Sequence, residues 1–238
     1  MLETDSFNCQ PAEFYKRDAD MICFPDPRVA PYGDIVAIGG NLHPTNLLRA
    51  YQKGIFPWPI AGWPLTWFSP QERAILEFKD VKIPRSLAKV QRRAPFRFTI
   101  DRAFRQIIHL CARIKRAHED GTWITPEISQ GYCRLHELGH AHSVEAWEGD
   151  ELVGGLYGVD AGGAFAGESM FYLRPNASKL ALLHLIEHLR ARGLDWIDIQ
   201  VLTPHMEALG ARTLAREEFL DKLSAARARR LNLFGAIA

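Results

Sequence analysis

Between Leu152 and Lys179 the chain reads LVGGLYGVDAGGAFAGESMFYLRPNASK. Two apolar and aromatic runs, Leu152–Val159 and Ala164–Tyr172, have the composition of strands. Asp160-Ala161-Gly162-Gly163 between them is a turn, because glycine supplies the positive φ of a tight hairpin. Gly154, Gly155, Gly158 and Gly167 each weaken a strand, so four of them predict bulges or a ligand lying against the backbone. Glu168 stands among Ala164, Phe165, Ala166, Met170 and Phe171, where an unpaired carboxylate is costly. The hairpin therefore reads as a pocket wall.

The next segment limits the topology further. Arg174-Pro175-Asn176 breaks the strand, and Leu180, Leu183, Ile186 and Leu189 have the spacing of one helical face over Ala177–Arg192. Gly193 stands at the helix stop. Trp196–Leu202 alternates as a strand, with Ile197, Ile199 and Val201 on one face and Trp196, Asp198 and Gln200 on the other. Two polar side chains on one face of a buried strand require partners or a substrate.

Length and charge exclude several classes. At 238 residues the chain has room for one large domain, or a medium and a small one. A net charge of +1 means that any nucleic-acid site depends on local clustering. No run approaches the ~18 apolar residues of a membrane helix, and the first residues lack a signal pattern. Cys9, Cys23, Cys111 and Cys133 show no paired spacing, which predicts free thiols and a cytoplasmic protein.

Residues 1–31, with four prolines, read as mostly irregular. A strand is expected over Asp34–Ile38 and a helix over Thr45–Lys53, followed by GIFPWPIAGWPLTWFSP. Its three tryptophans suit either a small aromatic core under a proline-rich loop or a ring that stacks a planar base, worth ~1–3 kcal/mol per base. Arg73–Phe78 is a predicted strand and Pro84–Arg93 a short helix. Arg85, Lys89, Arg92 and Arg93 fall on roughly one face of that helix, uninterrupted by acid. Such a face is either merely solvated or a phosphate contact. A strand at Phe96–Ile100 and helices at Ala103–Lys115 and Thr125–Leu138 follow, then strands at Ser143–Trp147 and Glu151–Val159. A helix at Arg216–Arg230 completes the chain.

His136-Glu137-Leu138-Gly139-His140 matches HExxH, in which two histidines one turn apart bind zinc. Gly139 reads as the helix stop, with a strand beginning almost at once, so His140 falls outside the helix. The match is accidental on that reading, and no metal site is expected. Glycine-rich phosphate loops and the nucleophile elbow are missing as well.

The stretches GGNLHPTNLLRAYQKGIFPW, GTWITPEI, LHELGHAHSVEAW, LVGGLYGV, GESMF, NASKLALLHL and IDIQVLTPHMEALGA, with the final Arg-Glu-Glu-Phe, resemble the bacterial leucyl/phenylalanyl-tRNA–protein transferases over roughly Gly39–Leu223. The resemblance implies a mixed α+β fold: a small N-terminal α+β domain (residues 1–71), then an acetyltransferase-like (GNAT) catalytic domain (72–238). It implies transfer of Leu or Phe, and Met more weakly, from aminoacyl-tRNA to the N-terminal amine of proteins beginning with Lys or Arg, marking them for degradation. Partners would be the charged tRNA and the acceptor protein, with no cofactor, no membrane and a monomeric enzyme. By the same resemblance Asp198 and Gln200 look like the catalytic pair and Glu168 like the pocket carboxylate. Met170, Phe165 and Leu156 look like walls of the side-chain pocket, and Trp58 and Trp123 like contacts of the terminal adenosine. Arg85, Lys89, Arg92 and Arg93 fall at the family's tRNA-binding helix.

Three departures from the family pattern stand out. Phe68 replaces a second tryptophan in Trp67-Phe68-Ser69-Pro70, Leu156 stands where Met occurs in some members, and the ends match weakly. Arg174–Lys179 contains no glycine, which speaks against the coenzyme A loop of acetyltransferases. A sister family that adds Leu to acidic N-termini, a coenzyme A acetyltransferase and a bare tRNA-binding module are the alternative readings.

Overall fold

A computed structural model describes residues 21–30, 33–113 and 122–235. The expectation of irregular structure over the N-terminal thirty residues, and the end of the helix predicted to reach Lys115, fall largely outside them. In chain order the elements are β1 (Ile35–Ile38), α1 (Pro44–Gln52), β2 (Phe56–Pro57), β3 (Thr66–Phe68), β4 (Glu72–Glu77), α2 (Arg85–Arg93) and β5 (Arg97–Ile100). Then come α3 (Phe104–Arg113), α4 (Pro126–Glu137), β6 (Ala141–Glu148), β7 (Glu151–Asp160), β8 (Phe165–Tyr172) and α5 (Ala177–Ala191). β9 (Trp196–Gln200), α6 (Pro204–Glu207), β10 (Arg212–Ala215) and α7 (Arg216–Ala228) complete the order. The fold is α+β with mixed sheet.

Seven strands form one sheet in the order β10-β4-β9-β8-β7-β6-β5. Each neighbouring pair is antiparallel except β8 and β9, which are parallel. A parallel pair needs a crossover connection, and α5 supplies it. β8 and β9 share the register pair Ala166–Asp198, and a cavity lies between the segments that continue beyond it.

Adjacent glycines on β7 show how the faces are covered. A Cβ on Gly154 would lie 2.5 Å from the Ala177 Cβ of α5, and one on Gly155 would lie 2.4 Å from Ile107 Cδ1 of α3. Successive strand residues point to opposite faces, so α5 covers one face and α3 the other. Each face has its own apolar core, with Leu180, Leu183 and Leu189 of α5 in one, and Leu47, Ile107, Ile128 and Tyr132 in the other. Gly158 is packed beneath the Phe165 ring, 2.5 Å from where its Cβ would be. Three of the four strand glycines thus serve packing rather than a ligand. Gly167 alone of the four lines the cavity.

A second sheet, β1-β3-β2, joins the strand expected over Asp34–Ile38 to two short strands inside the proline-rich stretch. Hydrogen bonding across it separates the three tryptophans. Trp67 is fully buried, with its indole N–H on the Gly39 carbonyl at 2.9 Å. Trp58 reaches the cavity and Trp63 is exposed. β10 went unread because its four residues carry little periodic signal. No helix among the described residues is long and apolar enough to cross a membrane.

Candidate active site

A cavity of about 400 Å³ sits where β8 and β9 part. Leu156 of β7, Met170 of β8 and Ile197 and Ile199 of β9 make an apolar floor, with Leu182 and Leu185 of α5 behind them. Trp58 and Trp123 stack on each other at 5.6 Å with planes 12° apart, forming an aromatic wall. Phe165, expected among the walls, does not line the cavity. It is 1% exposed and packs on Gly158 and the Phe234 ring, because it begins β8 at the end away from the opening.

Two irregularities bring polar groups into this apolar space. Along β7–β8, Tyr157 pairs with Ser169 and Gly158 with Gly167, so Glu168 is the extra residue of a bulge. Bulges re-aim a side chain, and Glu168 turns into the cavity. Along β4–β9, Ala74 pairs with Gln200 and Ile75 with Asp198, leaving Ile199 as the extra residue. Gln200 then has φ 56°, and the Val201 N–H bonds the Ile199 carbonyl at 2.7 Å across it. A three-residue turn around a left-handed centre is strained, by about 1–3 kcal/mol for a residue other than glycine.

This turn overturns the simple alternation. A regular strand would keep Gln200 on the face of Asp198, whereas Gln200 lines the cavity with Ile197 and Ile199, and Asp198 does not. Asp198 points to the opposite face, where the Arg73 guanidinium grips it through Nε at 2.8 Å and Nη2 at 2.7 Å. Its Oδ1 also accepts the Gln200 backbone N–H at 2.9 Å.

In the cavity the Gln200 side-chain amide donates to Glu168 Oε1, and the Tyr132 hydroxyl donates to Oε2 at 3.1 Å. Tyr51 and Tyr132 hydroxyls bond each other behind it. Burial pushes the Glu168 carboxyl up to about 7, an effect reinforced by the Asp198 charge and opposed by the hydrogen bonds from the tyrosines and Gln200. Burial also raises both tyrosines, which keeps them protonated as donors. The sequence patterns above single out neither Tyr51 nor Tyr132. The available signal was the demand of a buried carboxylate for donors.

The basic helix is separate from this cavity. Arg85, Lys89, Arg92 and Arg93 are exposed, and none forms an ion pair within the described residues. α2 starts at Arg85 and ends at a left-handed Ala94, with Leu87 buried beneath it. In the HExxH stretch α4 ends at Glu137 and Gly139 has φ 78°, so His140 lies beyond the helix. The His136 ring is occupied by the Ala141 carbonyl at 2.7 Å and by stacking on Phe104.

Residues 75–224 match the family model of leucyl/phenylalanyl-tRNA protein transferase, and residues 40–71 match its N-terminal domain. A leucyl/phenylalanyl-tRNA–protein transferase of Anaeromyxobacter sp. (strain K) is 49% identical over 203 residues, covering 85% of this chain and 87% of the relative. That of Desulfatibacillum aliphaticivorans is 48% identical over 205 residues, covering 86% and 88%. Among solved structures, L-PGS from Bacillus licheniformis aligns with a TM-score of 0.38 and 14% identity over 61% of this chain and 45% of that one. The identity to the two bacterial relatives and the match to both parts of the family model leave one assignment: the chain belongs to the leucyl/phenylalanyl-tRNA protein transferases, and is an aminoacyltransferase.

Proposed function

We propose that this enzyme moves Leu or Phe, and Met more weakly, from charged tRNA to the N-terminal amine of cytoplasmic proteins that begin with Lys or Arg, marking them for degradation. It would act as a monomer, with residues 1–71 as a small N-terminal domain and 72–238 as an acetyltransferase-like catalytic domain. The observation that carries this reading is a largely apolar cavity with Glu168 and Gln200 bonded to each other at its wall. Leu156 and Met170 favour a side chain unbranched at Cβ, and methylene-sized discrimination is worth only ~1–3 kcal/mol, so Met is expected as a weaker donor. Trp58 and Trp123 suit the terminal adenine, and α2 suits phosphates.

An aminoacyl ester is already activated, so positioning supplies most of the catalysis. With its amide N–H₂ committed to Glu168, Gln200 presents Oε1 as an acceptor for the attacking amine. The amine nitrogen bonds to the ester carbonyl carbon, the bond to the ribose oxygen breaks, and a proton lost by nitrogen ends on that oxygen. Glu168 holds the amine, and a carboxyl near pKa 7 is matched to receiving its proton and returning it. Asp198 fixes the Gln200 backbone rather than touching the reactants.

For the acceptor's first side chain, a cleft of about 520 Å³ adjoins the cavity, sharing Trp58 and Val201 with it. Asp34 and Glu72 line it, and because Asp34 lies 3.6 Å from Arg216 Nη2, Glu72, with no ion pair among the described residues, is the carboxylate left for a cation beside Phe68. Transfer of labelled Leu from tRNA to peptides starting with Arg or Glu tests the reading. Labelling of the Arg peptide alone is expected. Labelling of the Glu peptide would move the protein to the sister specificity, and labelling of neither would overturn the transfer reaction.

A further inference from the structure

Arg73 sits outside the cavity, yet four partners immobilise it. It is 1% exposed, with Phe56 and Phe219 rings each 4.6 Å from its guanidinium carbon. Nη1 donates to the Gly54 carbonyl at 3.1 Å, while Nε and Nη2 hold both oxygens of Asp198. The Asp198 carboxylate is thereby fixed in place, and its Oδ1 receives the Gln200 N–H.

What this fixes is the conformation at Gln200. Turning φ about the N–Cα bond carries Cβ with it. Relaxation from 56° to an ordinary strand value would swing the side chain by roughly half a turn, off the cavity face. A left-handed conformation is unfavourable for a γ-carboxamide residue unless its surroundings impose it. Besides the Val201–Ile199 hydrogen bond and the pairing with Ala74, the side-chain constraint on that backbone is the N–H bond to Asp198, and Arg73 in turn constrains Asp198.

We propose that Arg73 is a positioning residue of the transfer reaction, holding Asp198 as the anchor of the left-handed turn that delivers Gln200 to the cavity. This rests on the transferase reading above for its kinetic consequences, but not for its structural ones. The planar fork is required as well as the charge, because a lysine ammonium cannot hold two carboxylate oxygens in one plane with the Gly54 carbonyl.

The test is R73K. Charge is retained and the fork is lost, so kcat for leucyl transfer is expected to fall on the order of 10²-fold while KM for Leu-tRNA stays within about twofold. Its crystal structure should show Gln200 at negative φ with the side chain withdrawn from Glu168. A role confined to folding would instead lower activity in proportion to the folded fraction and leave kcat per folded molecule unchanged. A folded R73K with kcat within about threefold of wild type, or with Gln200 still left-handed in the cavity, overturns the proposal.

If R73K does not fold, R73Q/D198N is measured instead, since it removes both buried charges and keeps an amide oxygen for the Gln200 N–H. Partial recovery of kcat over R73Q supports the anchor role, and no recovery over a folded R73Q overturns it. Should the wild type transfer no amino acid at all, the functional reading fails, while the Gln200 conformation in R73K still decides this proposal.

Discussion

Glu168 shows how a single carboxyl acquires a pH-dependent role from its surroundings. Its pKa in the fold, about 7, is above the ordinary 4.5, so the folded state holds the proton more tightly than the unfolded chain. The resulting stability is full below pH 4.5 and is lost as pH rises through about 7. Glu168→Gln cannot ionise, so the Tm difference between variant and wild type should move in the variant's favour from pH 5 to pH 8 in thermal scans. Transfer by the wild type should rise through an apparent pKa near 7, and the variant should lose that step along with about 10²-fold in kcat. A profile in Glu168→Gln that still titrates near 7 would assign the step to another group. The carboxylate was legible from its apolar neighbours in sequence. Tyr51 and Tyr132 were not, because they are brought to it by α1 and α4 from elsewhere in the chain.

Among the elements, α2 and β7 carry the clearest consequences. The four cations of α2 have no acidic partner among the described residues, so binding of charged tRNA should weaken steeply with salt. Alanine at Lys89 and Arg92 should cut the slope of log affinity against log salt by about 1–2, measured by filter binding, with little change in kcat. An unchanged slope would reduce α2 to a solvated face. On β7, a Cβ at Gly155 would stand 2.5 Å from the Val144 carbonyl oxygen, a backbone atom that cannot step aside. Gly155→Ala should therefore destabilise the fold by about 1–3 kcal/mol in urea unfolding. Sequence analysis placed β7, β8, α5 and β9 within a residue or two, since their apolar periodicity is strong. Of the small sheet it placed β1 but not β2 and β3, because two- and three-residue strands have no period to detect.

At the scale of the whole molecule, the cleft proposed for the acceptor joins Asp34, which precedes β1, to Glu72, at the start of β4. Glu72→Gln should raise KM for an Arg-starting peptide several-fold, by the weakening of one exposed or half-exposed charge contact, and leave KM for Leu-tRNA unchanged. Equal effects on both substrates would remove Glu72 from acceptor recognition. What the sequence by itself determined was the family, the α+β character, the central hairpin and the presence of Glu168, Gln200 and a basic helix. Those properties reside in contiguous patterns that local chemistry reads directly. Only the tertiary structure decided which face Gln200 occupies, that Asp198 is held by Arg73, and that Phe165 packs away from the cavity. A bulge and a left-handed turn reverse the parity of a strand, and both are set by hydrogen bonds to strands and side chains distant along the chain.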